Sequence, residues 1–355
     1  MFHVEYLRAF FVSAVLASLI GTEAHAESRV RIAVQGDIAR LDPHVLNETL
    51  TLGVLSNVME GLVRRDSHLR LKPGLATHWE TLTPRHWRFH LRRGVTFHDG
   101  SPFSADDVLF TFERARMTGS QMKGRVPDGA QFSAIDRYTV DVHLTEPNPI
   151  LPADWESLLI MSRQWAAQHG LTAPMVTADP TPVLPANGTG AYRVLSHEPG
   201  RIMRFERNDA WWGHDSKMVE RVDVFTLGNA QTRTAALLAG QVDVIVPAPV
   251  QDLARFSKTP GFKTLTGPEL RTIFLNMDQK RDTLVGAAPG TPNPFKDRRV
   301  REAVSHAIDI EAIRRVVMRG QSVPAASLAS PLVLPGIAEI DRRAHDPVRA
   351  RGLLV

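Results

Sequence analysis

Between Trp87 and Val108 the apolar and polar positions change period twice, and each change marks a boundary between elements. Trp87, Phe89 and Leu91 fall on one side of an extended chain and Arg88, His90 and Arg92 on the other. This is the period-2 signature of a half-buried strand. Gly94 permits a turn, and Val95 and Phe97 resume the alternation, predicting a second strand. Asp99-Gly100 supplies a second turn that tolerates positive φ. Ser104 then stands as an N-cap with Asp107 at the capping-box position. Val108, Phe112 and Ala115 mark the inner face of the helix that follows, with Leu109 beside it.

Along the rest of the chain the same reading predicts a strand over 30–34, ended by Leu41-Asp42-Pro43, and a helix over 51–63. Short segments follow over 69–79, then a strand over 138–144. A stretch with four prolines, Pro174, Pro180, Pro182 and Pro185, reads as a connection between domains. Beyond it, Gly188-Thr189-Gly190 opens a strand at Tyr192, and strands follow over 202–206, 222–225 and 244–246 with a helix over 231–238. Asp297 caps a helix whose predicted inner face is Val300, Val304, Ala307 and Ile308. Asp309 caps another with Ile310, Ile313, Val316 and Val317 inward and Gly320 as its stop. Asp346-Pro347 starts a last helix only a few residues before Val355, so the chain reads as interrupted there.

Composition narrows the class. The 355 residues suffice for two or three domains, with 43% hydrophobic and 23% charged residues. The 42 basic residues are interleaved with 38 acidic ones, and no run of five basic residues occurs. A dispersed surplus of this kind is a solvated surface, so nucleic acid is not an expected partner. Arg8, the mainly apolar run 9–20 and Ala24-His25-Ala26 fit a secretory signal peptide over 1–26, cleaved after Ala26. The run is too short to span a bilayer. With no cysteine there is no lipid-anchoring site, disulfide or thiolate metal site, which predicts a periplasmic protein without a lipid anchor.

No catalytic motif is present: no Gly-x-Ser-x-Gly elbow, P-loop or Gly-x-Gly-x-x-Gly turn. Asp106-Asp107 sits at a helix start, where the dipole favours acids. The histidines His86, His90 and His98 lie on strand or turn positions without a metal-ligand spacing, so neither a metal nor a cofactor is expected.

The block 87–108 resembles the signature segment of the family 5 periplasmic solute-binding proteins, the peptide, nickel and opine receptors of ABC importers. Leu41-Asp42-Pro43-His44, Met59-Glu60-Gly61-Leu62-Val63 and Pro73-Gly74-Leu75-Ala76-Thr77-His78-Trp79 continue the likeness in family order. So do Gly188-Thr189-Gly190-Ala191-Tyr192, Arg207-Asn208-Asp209-Ala210-Trp211-Trp212-Gly213, Gly240-Gln241-Val242-Asp243 and Asp297-Arg298-Arg299-Val300-Arg301. The likeness stops where the family continues for well over a hundred residues. It implies an α/β two-lobed binding protein (type II-like, cluster C) with mixed sheets and an incomplete second lobe. Residues 27–62 and 185–265 would form lobe one, 63–184 an inserted subdomain, and 266–355 the start of lobe two.

Most signature residues have a structural reading as turn glycines, helix caps and core aromatics, and Trp211-Trp212 reads as a core tryptophan beside a rim tryptophan. The resemblance places ligand contacts elsewhere. They fall at Asn47, Glu48 and Thr49 after the Leu-Asp-Pro motif, and at Val246, Pro247 and Ala248 at the end of the Gly-x-Val-Asp strand. A crossover strand over 271–277 would add Arg271 and Phe274, Arg271 able either to hold a carboxylate through two hydrogen bonds or to sit in a surface salt bridge. An extended ligand would pair with backbone groups like an added strand. The acidic residue that anchors a peptide's amino group in the peptide-binding members lies beyond the stretch present here. The expected function is therefore capture of a peptide or related solute by a monomeric, non-enzymatic receptor that docks on an inner-membrane ABC permease. The alternative is a non-functional or holdase-like fragment of such a receptor.

Overall fold

A computed structural model describes residues 27–174, 186–267, 271–331, 335–337 and 339–355. The predicted signal peptide and Pro180, Pro182 and Pro185 of the proline-rich connection lie outside the described residues. The chain divides into two compact units, one ending at Pro247 and the other beginning at Ala248.

The first unit contains a five-stranded mixed sheet in the order β11-β1-β10-β9-β8. Its strands are β1 (Arg29–Val34), β8 (Tyr192–Glu198), β9 (Ile202–Arg207), β10 (Arg221–Thr226) and β11 (Val244–Val246). β1 runs parallel to both neighbours, with Val34 opposite Thr226 on β10 and Val246 on β11. Between β1 and β8 come helix α1 (Thr49–Leu55), the two-stranded pair β2 (Val63–Arg65) and β3 (Leu71–Pro73), and a four-stranded antiparallel sheet. That sheet has the order β4-β5-β7-β6, from β4 (Ala76–Thr83), β5 (His86–Leu91), β6 (Gln131–Asp136) and β7 (Thr139–His143). Helix α2 (Ala105–Ala115) packs on β6 and β7.

Two apolar cores follow from the alternation. Trp87, Phe89 and Leu91 of β5 and Val140 and Val142 of β7 turn to one face, where they meet Val108, Phe112 and Trp155. Trp155 is fully buried and touches the rings of Phe89 and Phe112. Val34, Leu55, Val58, Met59, Met203, Phe205 and Val224 form the second core on the five-stranded sheet.

The predicted strand at Val95–Phe97 is not a strand but a single bridge between Thr96 and Pro102. Its two side chains are nevertheless buried, so the alternation reported burial and not pairing. Ser104 and Asp107 do form the capping box of α2. The turn at Asp99 has a partner far along the chain. Asp99 N–H donates to Asn187 Oδ1 (3.2 Å), and Asn187 Nδ2 donates back to Asp99 Oδ2 (2.9 Å). His98 adds a backbone N–H to Gly188 O (2.8 Å) and Nε2 to Gly190 O (3.0 Å).

The helix expected over 51–63 ends at Leu55. Its continuation is diverted because Gly190 N–H takes the Val58 carbonyl and Tyr192 N–H takes that of Asn57. Only glycine allows this approach: a Cβ at Gly188 would stand 1.9 Å from Val58 O, and one at Gly190 2.5 Å from Asn57 O. Glu60, just beyond, accepts hydrogen bonds from Thr189 Oγ1 (2.9 Å), Trp211 Nε1 (3.2 Å) and Trp212 Nε1 (3.0 Å). Burial holds its pKa above the ordinary carboxylate value despite these donors. The two tryptophans thus direct their N–H groups inward at one carboxylate, and the Arg92 guanidinium lies over the Trp212 ring.

In the second unit, helix α4 (Arg298–Ala307) is capped by Asp297, whose carboxylate accepts from Arg299 N–H. Its buried residues are Ala303 and His306, not the predicted Val300–Val304–Ala307 row. The C-terminal helix α5 (Pro347–Gly352) covers that face, with Asp346 N–H on His306 O (2.9 Å) and Ala350 buried. The second predicted helix forms over Ile310–Val317, α-helical at Ile310–Ala312 and widened to a π-helix over Ile313–Val317, with Asp309 as its cap and Gly320 at φ 78° just beyond it. Ile313, Val316 and Val317 are exposed there, which corrects the inward face expected for them. The expected crossover strand over 271–277 does not form either. Among the described residues of this unit the ladder pairing is limited to the bridge Thr283–Pro292, so an extended segment has no neighbour to pair with.

Candidate functional site: the carboxyl ends of β1, β10 and β11

β1 is flanked on both sides by parallel strands that reach it by separate crossovers, and their carboxyl ends finish side by side. In an open α/β sheet this switch point is where loops diverge and leave a crevice for a ligand. Three observations give the edge its shape. Leu227 N–H bonds Val34 O (2.9 Å), locking the loop after β10 to the end of β1. Gly36 presses against Leu50: a Cβ there would lie 2.7 Å from Leu50 Cδ2, which brings the start of α1 to the end of β1. Arg233, on helix α3 (Ala230–Leu238), is almost fully buried and donates Nη1 to Leu227 O (2.6 Å) and Gly228 O (3.0 Å).

Asn47, Glu48 and Thr49 are exposed at the N-terminus of α1. Glu48 is its cap: the carboxylate accepts from Leu50 N–H (3.3 Å), Thr51 N–H (3.2 Å) and Thr51 Oγ1 (2.6 Å). Its capacity for a ligand is correspondingly reduced, whereas the Asn47 and Thr49 side chains point to solvent. Val246 and Pro247 are exposed at the end of β11, on the edge strand of the sheet. Five of the eight residues expected to touch a ligand therefore belong to the first unit. Ala248, Arg271 and Phe274 belong to the second, where Phe274 is 57% exposed between the still more open Ile273 and Leu275. Sequence reasoning missed Arg233. Nothing in a Gln-Thr-Arg-Thr helix start distinguishes an arginine that turns back on its own loop.

The motif Leu41-Asp42-Pro43-His44, which leads into this edge, is held from beneath. Arg114, on α2 and fully buried, donates to both carboxylate oxygens of Asp42, to His44 Nδ1 (2.8 Å) and to Leu171 O (2.8 Å). His44 Nε2 faces Leu159 O (3.3 Å). These partners fix the neutral tautomer, and burial beside a cation lowers the His44 pKa to about 4.

A separate pocket of about 570 Å³ opens at the N-terminus of α2. Its Asp107 accepts from the Ser104 N–H (2.9 Å), the Ser104 hydroxyl (3.3 Å) and the Arg163 N–H (2.9 Å), so the Ser104–Asp107 pair that lines it serves as the capping box of α2. Among the described residues no helix is long and apolar enough to cross a membrane.

Comparison with known proteins agrees with this architecture. The glutathione-binding protein GsiB of Shigella flexneri is 24% identical over 347 residues, covering 96% of this chain and 63% of its own length. The chain thus spans about two thirds or less of the curated relatives it matches. The periplasmic binding protein DppA of Helicobacter pylori, solved with the peptide STSA, superposes with a TM-score of 0.78 at 22% identity over 92% of this chain and 66% of that one. NikZ of Campylobacter jejuni, solved with Ni(L-His), gives 0.75 at 23% over 92% and 62%. The fold is therefore that of the α/β periplasmic binding proteins with mixed sheets. The family model "Bacterial extracellular solute-binding proteins, family 5 Middle" matches residues 70–355, and the chain belongs to that family.

Proposed function

We propose that this protein captures a peptide or a related small solute as the binding component of an ABC importer, and delivers it to an inner-membrane permease. The carrying observation is the strand-end edge at Val34, Thr226 and Val246, with exposed Asn47, Thr49, Val246 and Pro247 on it. In this reading residues 27–62 and 185–265 act as lobe one, 63–184 as its inserted subdomain and 266–355 as the opening of lobe two, and Ala248, Arg271 and Phe274 are further ligand contacts. An extended solute pairs with backbone at the free edge of β11, so affinity depends little on any one side chain. Closure is driven by contacts that exist only in the closed form. Export by a signal peptide cleaved after Ala26, and work as a monomer, complete the reading. A relative named for glutathione, and structures of similar fold solved with the peptide STSA and with Ni(L-His), support a small, polar, amino-acid-derived solute.

Calorimetric titration with di- to tetrapeptides, glutathione and opines tests it, saturable binding of one class being the expected outcome. A second reading, a holdase for unfolded chains, is favoured by the exposed run Ile273, Phe274 and Leu275. Suppression of aggregation of a denatured client, abolished by polar substitution of that run and without solute binding, would establish it instead.

A further inference from the structure

On the solvent face of the four-stranded sheet, β5 and β7 set His86 directly opposite His143 and Arg88 directly opposite Asp141. Residues two apart on a strand share a face, so all four stand on the side away from Trp87, Phe89, Val140 and Val142. His86 Nε2 lies 2.9 Å from Asp141 Oδ2, and the His86 and His143 rings overlap with centroids 3.9 Å apart. One ligand atom from each of His86, Asp141 and His143 falls within 4.8 Å of the other two. We propose that these three residues bind a borderline divalent transition-metal ion, of the class of zinc, copper or nickel.

The spacing suits that class. Such an ion lies about 2.0–2.2 Å from an imidazole nitrogen or a carboxylate oxygen. Two bonds of that length meeting at the near-right angle of a tetragonal copper or nickel site hold the two atoms about 2.9 Å apart, the separation of His86 and Asp141. A small side-chain shift opens it to the wider tetrahedral angle of zinc. The ion takes the place of the His86–Asp141 hydrogen bond, bound by the Nε2 lone pair of the imidazole tautomer that carries its proton on Nδ1. His143 is exposed and free to rotate its ring toward the ion. Arg88 donates Nε to Asp141 Oδ1 (2.6 Å) and Nη2 to Oδ2 (2.8 Å), which orients the carboxylate as an outer partner does. Its charge also lowers the affinity, so the site is a weak one with positions left for water. Two imidazoles select against magnesium and calcium, which take oxygen ligands.

Titration of metal-stripped protein with Zn²⁺ and with Ni²⁺ at neutral pH tests this. One equivalent is expected to bind, and the same equivalent should weaken at least about tenfold in His143→Ala and in His86→Gln but not in His214→Ala, with no heat from Mg²⁺. His143→Ala removes an exposed side chain, and an unchanged melting temperature without metal confirms that the fold survives. Absence of binding in the parent protein, or equal binding in His143→Ala, overturns the proposal.

Discussion

Arg114, fully buried on α2, grips both carboxylate oxygens of Asp42, more than seventy residues earlier in the chain, and so anchors the loop that leads from β1 to the strand-end edge. The same guanidinium also holds His44 and the carbonyls of Leu171 and Ala173. Removing the carboxylate leaves a buried cation without its counter-ion. Asp42→Ala is expected to lower stability by about 3–5 kcal/mol, measured by urea unfolding. A loss below 1 kcal/mol would mean that the pair is incidental.

His44 makes the same cluster sensitive to acid. Its folded pKa of about 4 lies below the ordinary 6.5, so the unfolded chain takes up a proton that the folded protein refuses. The stability it contributes is complete above pH 6.5 and declines as pH falls toward 4, by about 3 kcal/mol at 1.36 kcal/mol per unit. Urea midpoints between pH 7 and pH 4 should fall more steeply in the parent than in His44→Gln, and parallel curves would contradict this.

Glu60 is acceptor to three donors on two other segments. In Glu60→Gln one oxygen becomes an amide donor facing an indole or hydroxyl donor. The variant is expected to lose about 1–3 kcal/mol and to shift tryptophan emission, although a buried charge has been removed. Unchanged emission and stability would show that the carboxylate does not hold Trp211 and Trp212.

A methyl group at position 188 has no room. Gly188→Ala would drive a Cβ against Val58 O and should cost about 3 kcal/mol or more. Gly124→Ala, where nothing lies within 4 Å, should stay within about 0.5 kcal/mol. Thermal unfolding of the two variants side by side decides it.

How far the sequence could be read depended on whether each signal was local. The β5 alternation, the Ser104–Asp107 capping box and the strand ending at Val246 were legible because period and cap chemistry act over a few residues. The end of α1 was not legible, because Gly190 and Tyr192, over a hundred residues away, take the carbonyls of Asn57 and Val58 just past it. The strand expected over 271–277 failed for the complementary reason. Its apolar run is strand-like, but a strand exists only with a neighbour. At the candidate site Asn47, Thr49, Val246 and Pro247 were singled out through family motifs, and the structure shows them exposed. The cap role of Glu48 and the loop brace from Arg233 were not, since both depend on where a side chain turns in three dimensions.

The central claim is that the protein captures a solute, and native mass spectrometry of protein expressed to the periplasm tests it most directly. The account predicts a co-purifying small solute, released on activation and replaced by an added peptide or related amino-acid derivative. Protein that carries no solute, and that binds none of the peptides, glutathione or opines offered to it, would contradict the account.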